Sequence, residues 1–163
     1  MTAQEKQTIE SVIKYLIREN ITVATAESCT AGMIASSLGD VPGVSKIFAE
    51  GYVTYSNEAK EKNLGVPHET LLAHGAVSEE TARAMAEGAA KRAGARLGIS
   101  ATGIAGPDGG TEEKPVGLVY IGVCVEGATT VTRNLFSGSR TDVRKQTVFT
   151  AFSMIAKIFK IHS

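Results

Sequence analysis

Thr22-Val-Ala-Thr-Ala-Glu-Ser28-Cys-Thr-Ala-Gly32-Met-Ile-Ala35 decides how this chain folds. A short run with β-branched residues breaks into small polar ones, then resumes a helical pattern through Met33, Ile34 and Leu38. It reads as a strand, a tight turn and a helix N-terminus, with Ser28 at the corner. Such a corner lifts a side chain off the end of a sheet and turns the first free N–H groups of the helix, near Thr30, Ala31 and Gly32, into the same space. By itself the pattern fits a capping Ser28 and a packing Gly32 as well as it fits a site for chemistry.

Upstream, Ile9, Val12, Ile13, Leu16 and Ile17 recur at helical spacing, which predicts an amphipathic helix over 5–19 that stops near Asn20. Downstream, the second helix runs to Gly39 and Val41-Pro42-Gly43 turns the chain. Residues 47–56 mix aromatic and β-branched types and read as a strand ending at Tyr55 and Ser56. Asn57 then caps a short helix, Glu58–Leu64, closed by Gly65. Lys60 falls in its first turn, where the helix dipole disfavours a cation. Residues 67–75 form a connection with some helical content, and His68 and His74 lack partners at metal-ligand spacing. Ser78 caps a helix whose small stripe, Ala82, Met85, Ala86, Ala89, Ala90 and Ala93, permits close approach to a sheet or to a partner subunit.

Strand 96–101 runs into Thr102–Gly117, where five glycines and two prolines in sixteen residues leave no regular element. A loop of this length in a compact domain reads as functional, its glycines letting backbone amides approach a ligand. It matches neither a Walker loop nor a dinucleotide fingerprint. The apolar runs 116–126 and 129–136 predict a hairpin, hence a mixed rather than parallel sheet. A last helix opens at Arg140, with Arg144 one turn on, and two cations at a positive helix end are either solvated or answer an anion such as phosphate.

The 163 residues, 43% of them hydrophobic, suffice for one domain over 1–163. Seventeen basic residues balance 17 acidic ones, aromatics make up 6% and Trp is absent, which argues against nucleic acid or membrane as partner. No apolar run approaches the roughly 20 residues of a membrane span, and the N-terminus lacks a secretory core, so a cytoplasmic location is expected. Cys29 and Cys124 fall on different elements, so neither a disulfide nor a metal site is expected.

Ser28 at a corner, Tyr55 at a strand end and Lys60 five residues later could make a Ser nucleophile, a Lys base and a Tyr relay. Bringing a Lys from about 10.4 to about 7 costs on the order of 4 to 5 kcal/mol, whereas a helix N-terminus supplies about 0.3 to 2. Burial must provide most of the shift, so an exposed Lys60 would count against this role.

Around these residues the chain resembles the nicotinamide-nucleotide amidases, the CinA C-terminal domain family. The matching segments are Ala26–Gly32, Gly51–Tyr55 with Asn57 and Lys60, Gly75–Ser78, Ala101–Pro107, Gly109–Thr111 with Lys114–Gly117, and Phe136–Arg140 followed by Val143 and Arg144. The resemblance implies an α/β fold, a three-layer α/β/α sandwich with a mixed central sheet. It also implies hydrolysis of nicotinamide mononucleotide to nicotinate mononucleotide and ammonia, with no metal or organic cofactor, by a homodimer. Carried over by position, Ser28 is the nucleophile and Lys60 and Tyr55 handle its proton. Thr30, Gly32, Thr102, Gly103 and Gly106 line the nucleotide substrate, and Arg140 contacts it, Arg144 less directly. Two departures stand out: Ala31 replaces the family's usual Gly, which lowers turnover if the backbone there adopts positive φ, and Ser139 replaces a common acidic partner of Arg140.

Two other readings stay open at this level. The glycine loop and arginines could form a non-catalytic nucleotide- or phosphate-binding regulatory module. Cys29 could instead be the nucleophile, since a thiol at a helix N-terminus can have a depressed pKa.

Overall fold

Five strands, β1 (Val23–Glu27), β2 (Phe48–Val53), β3 (Leu97–Gly103), β4 (Leu118–Val125) and β5 (Ala128–Leu135), form one sheet in the order β2-β1-β3-β4-β5 in a computed structural model that describes residues 1–161. β2 and β3 pair parallel with β1, while β4 pairs antiparallel with β3 and β5 antiparallel with β4, so the sheet is mixed as the hairpin pattern requires. Glu126 and Gly127, both at positive φ (50° and 89°), make the two-residue hairpin turn, one position earlier than the Gly127-Ala128 pair suggests.

Among the described residues six α-helices cover the sheet: α1 (Ala3–Arg18), α2 (Met33–Gly39), α3 (Asn57–Ala59), α4 (His68–His74), α5 (Glu79–Ala93) and α6 (Arg140–Ile158). α1 begins earlier than its apolar stripe implies because Thr2 and Glu5 form a capping box. Strand alternation separates the two cores. Val23, Ile99, Val119 and Ile121 face α1, α2 and α6, packing with Leu16, Leu38 and Phe152. Ala24 and Ala26 face the other way, onto Leu64, Leu71, Met85 and Ala89. The result is an α/β/α sandwich.

The alanine stripe of α5 lies on the sheet, with Ala82, Met85, Ala86 and Ala89 fully buried, and it is therefore spent inside the chain rather than left for a partner subunit. A Cβ on Gly98 would meet the Ala86 carbonyl oxygen at 2.1 Å, so the helix sits as close as backbone allows. Gly88 plays the same part against the segment before α4, where a Cβ would lie 2.1 Å from the Leu64 carbonyl oxygen.

The connection after β1 crosses to one face through α2, and the connection after β2 crosses to the other through α3 to α5. The carboxyl ends of β1 and β2 therefore flank a topological switch point, where open α/β sheets leave a crevice. Ser28 follows one strand and the segment leading to Lys60 follows the other.

Candidate active site

Ser28 sits just beyond β1, its amide held by the Ala101 carbonyl at 2.9 Å. The turn that follows is irregular: Ala31 (φ 49°) and Gly32 (φ 91°) are both left-handed before α2 begins at Met33. Ala31 thus occupies a conformation that a side chain disfavours, the condition on which its departure from the family pattern bears.

The α2 amides are not free, as the corner alone suggests they would be. Glu27, fully buried, takes Ile34 N (3.0 Å) and Ala35 N (2.8 Å) on its two carboxylate oxygens, while Ala31 N returns to the Ser28 carbonyl (3.1 Å). Among the described residues no protein acceptor takes the amides of Cys29, Thr30 or Gly32. The donors left at the corner therefore belong to the turn, not to the helix.

On the far side of the crevice, Ser56 rather than Asn57 caps α3, because its hydroxyl accepts from Ala59 N. Asn57 is already inside the helix. The helix then widens into one π turn, Lys60–Leu64, closed by left-handed Gly65. Lys60 is 0% exposed, and its side chain runs inward to the end of β2. Its Nζ lies 3.2 Å from Ser28 Oγ and donates to the carbonyls of Thr54 (2.7 Å) and Tyr55 (3.3 Å). Among the described residues it makes no ion pair. Burial holds its pKa below the ordinary 10.5, with the Cys29 sulfur pushing weakly the other way. Desolvation is the largest cause of the shift.

Tyr55 contributes its carbonyl to Lys60, but the residue is 58% exposed and its hydroxyl accepts from Arg140 at 2.9 Å. Arg140 also donates to the Gly106 carbonyl (3.0 Å), and Arg144 donates to the Thr30 carbonyl (2.8 Å). Both arginines therefore tie the α6 start to the corner and the glycine loop through neutral oxygens. Ser139 is the N-cap of α6, in a capping box with Asp142.

The remaining candidates divide by burial. Thr30, in the turn that follows Ser28, is fully buried with no partner for its hydroxyl. Gly32 packs under Val53. Thr102 is buried and donates to the Ala76 carbonyl (2.7 Å), and a Cβ on Gly103 would lie 2.5 Å from the Leu118 carbonyl oxygen, so these two root the glycine loop. Left-handed Gly106 (φ 81°) presents its carbonyl to Arg140. Lys114 fastens the loop's far end by donating to the His74 carbonyl at 2.7 Å.

Cys29 is buried and free, as is Cys124. Burial, with Glu27 adding to it and the arginines opposing, pushes the Cys29 thiol up to about 11, the opposite of what a reactive thiolate needs. Sequence reasoning missed Glu27, Thr54 and Gly88. A signal existed for the first, because strand alternation places Glu27 on the same buried face as Val23 and Thr25.

No helix among the described residues is long and apolar enough to cross a membrane. Residues 5–159 match the CinA C-terminal domain. A competence-damage inducible protein of Clostridium perfringens is 57% identical over 151 residues, which make up 92% of this chain and 37% of that protein. The chain thus spans little more than a third of the curated relatives it matches. The crystal structure of the competence/damage inducible protein CihA from Agrobacterium tumefaciens shares the fold at a TM-score of 0.93 and 39% identity, covering 98% of each chain. That of competence damage-inducible protein A from Klebsiella pneumoniae does so at 0.92 and 33% identity, covering 98% of this chain and 99% of the other. On sequence and fold together, this chain belongs to the CinA C-terminal domain family.

Proposed function

We propose that the chain is a nicotinamide-nucleotide amidohydrolase that converts nicotinamide mononucleotide to nicotinate mononucleotide and ammonia, with Ser28 as nucleophile and Lys60 as its base. The observation that carries this reading is a fully buried lysine, its pKa lowered by desolvation, 3.2 Å from a serine hydroxyl at a strand-to-turn corner. A neutral amine has two N–H groups and one lone pair. With the N–H groups directed at the Thr54 and Tyr55 carbonyls, the lone pair is left for the Ser28 hydroxyl.

In the reaction, Ser28 Oγ bonds to the carboxamide carbon while its proton passes to Lys60 Nζ. The amides left free in the turn, those of Cys29, Thr30 and Gly32, hold the oxyanion. The carbon–nitrogen bond then breaks as Lys60 returns the proton to the leaving group, releasing ammonia. Water, deprotonated by the same amine, attacks the resulting ester and frees Ser28. Arg140, exposed and bound only to neutral oxygens, is the group available to the substrate phosphate.

Rapid quench of the enzyme with nicotinamide mononucleotide, followed by peptide mass spectrometry, tests the covalent step. The nicotinoyl ester is expected on the hydroxyl of Ser28; a thioester on Cys29 would overturn the assignment.

A further inference from the structure

We propose that Glu27 is a positioning residue for the nucleophile, acting through the turn it spans; the proposal rests on the reading of Ser28 as that nucleophile. Glu27 is a fully buried carboxylate with no ion pair among the described residues. Burying such a charge is costly unless hydrogen bonds replace water. Its replacements are two amides seven and eight residues ahead, Ile34 N and Ala35 N, one on each oxygen. Gly32, at the cap position of α2, has no side chain to satisfy them.

The side chain therefore closes a ring from the end of β1 to the start of α2, with Ser28 inside it. That ring contains left-handed Ala31 and Gly32, a conformation the segment does not favour on its own. The backbone of Glu27 meanwhile ties the ring to the base: its carbonyl accepts from Thr54 N at 2.9 Å, and the Thr54 carbonyl holds Lys60 Nζ at 2.7 Å. One residue thus couples the turn that aims Ser28 to the segment that aims Lys60. Glutamine in its place keeps the shape but sets an NH2 group against one of the two amides, so the ring opens on one side.

The test compares the wild-type chain, Glu27→Gln and Glu27→Asp, with Leu38→Ala as a variant that weakens α2 from its core face. Displacing a reacting group by an ångström costs about 100-fold, so Glu27→Gln is expected to lower kcat about 10- to 100-fold with KM within about threefold. Glu27→Asp, which keeps the charge but not the reach, should fall between, and it carries the test if the Gln variant does not fold. Leu38→Ala, with a comparable loss of Tm, should keep kcat within about twofold. Wild-type kcat in both Glu27 variants, a change in KM alone, or an equal kcat loss in Leu38→Ala would each overturn the proposal.

A second readout separates this from the amidase reading. If wild type releases no ammonia, the rate at which an ethoxy fluorophosphonate phosphonylates Ser28, with loss of fluoride, replaces kcat, and Ser28→Ala sets the blank. Slower labelling of Glu27→Gln supports the positioning role whatever the natural reaction; equal labelling removes it.

Discussion

Lys60 Nζ lies 3.2 Å from Ser28 Oγ inside the protein, with its pKa held below the ordinary 10.5 by burial. In the pH range between the folded and unfolded pKa values the unfolded chain carries more protons, so stability should rise with pH there. The rate profile is set by the folded value alone: kcat/KM should rise as pH passes through the lowered pKa, at the bottom of that range, and level off above it, where the amine is free to accept the Ser28 proton. Lys60→Met should abolish the stability slope and lower kcat by about 10²- to 10⁴-fold, the usual worth of a general base. Lys60→Arg should be no better, since a guanidinium does not give up its proton. Thermal melts and rate profiles across pH on the same samples check both halves; a flat wild-type profile with active Lys60→Met would contradict them.

Tyr55→Phe separates a relay from a tether. Because the phenol contacts Arg140 and not Ser28, its loss should resemble Arg140→Ala, raising KM for nicotinamide mononucleotide while changing kcat less than about tenfold. Steady-state kinetics on both variants decide it. A 100-fold drop in kcat for Tyr55→Phe alone would assign the phenol to proton transfer.

Ala31→Gly should stabilise the protein by up to about 1 kcal/mol, since glycine removes the left-handed strain at φ 49°, less the extra freedom it gives the unfolded chain. Turnover should equal or exceed wild type. Denaturant unfolding alongside rates is the measurement, and a loss of stability would mean that the methyl is packed rather than merely strained.

Gly88→Ala sets two effects against each other. Alanine favours a helix interior by about 1 kcal/mol, but here its Cβ would lie 2.1 Å from the Leu64 carbonyl oxygen, at the end of the turn that carries Lys60. Overpacking of this kind costs about 1 to 3 kcal/mol, so net destabilisation is expected, together with lower kcat as the π turn shifts. Calorimetry and kinetics on the variant check it.

The mixed sheet and the Ser28 corner were legible because local patterns carried them: β-branched and apolar runs in β1, β4 and β5, helical spacing in α1, the cap at Ser78; the three-layer arrangement came from the family resemblance. What was not legible depended on contacts between distant segments. No local pattern says that Lys60 turns inward, that Glu27 fills the amides of α2, or that Arg140 reaches Tyr55 across 85 residues. The cap slipped from Asn57 to Ser56 because both residue types satisfy the same rule and only geometry chooses between them. The dimer expected from the alanine stripe lost that support once the stripe was seen on the sheet.

Ammonia release from nicotinamide mononucleotide by the purified protein, beside Ser28→Ala and with the product identified by chromatography, tests the central claim most directly. The account predicts ammonia and nicotinate mononucleotide in equal amounts from wild type and neither from Ser28→Ala. Equal activity in the two would remove Ser28 as nucleophile, and silence in both with tight nucleotide binding retained would make the chain a binding module.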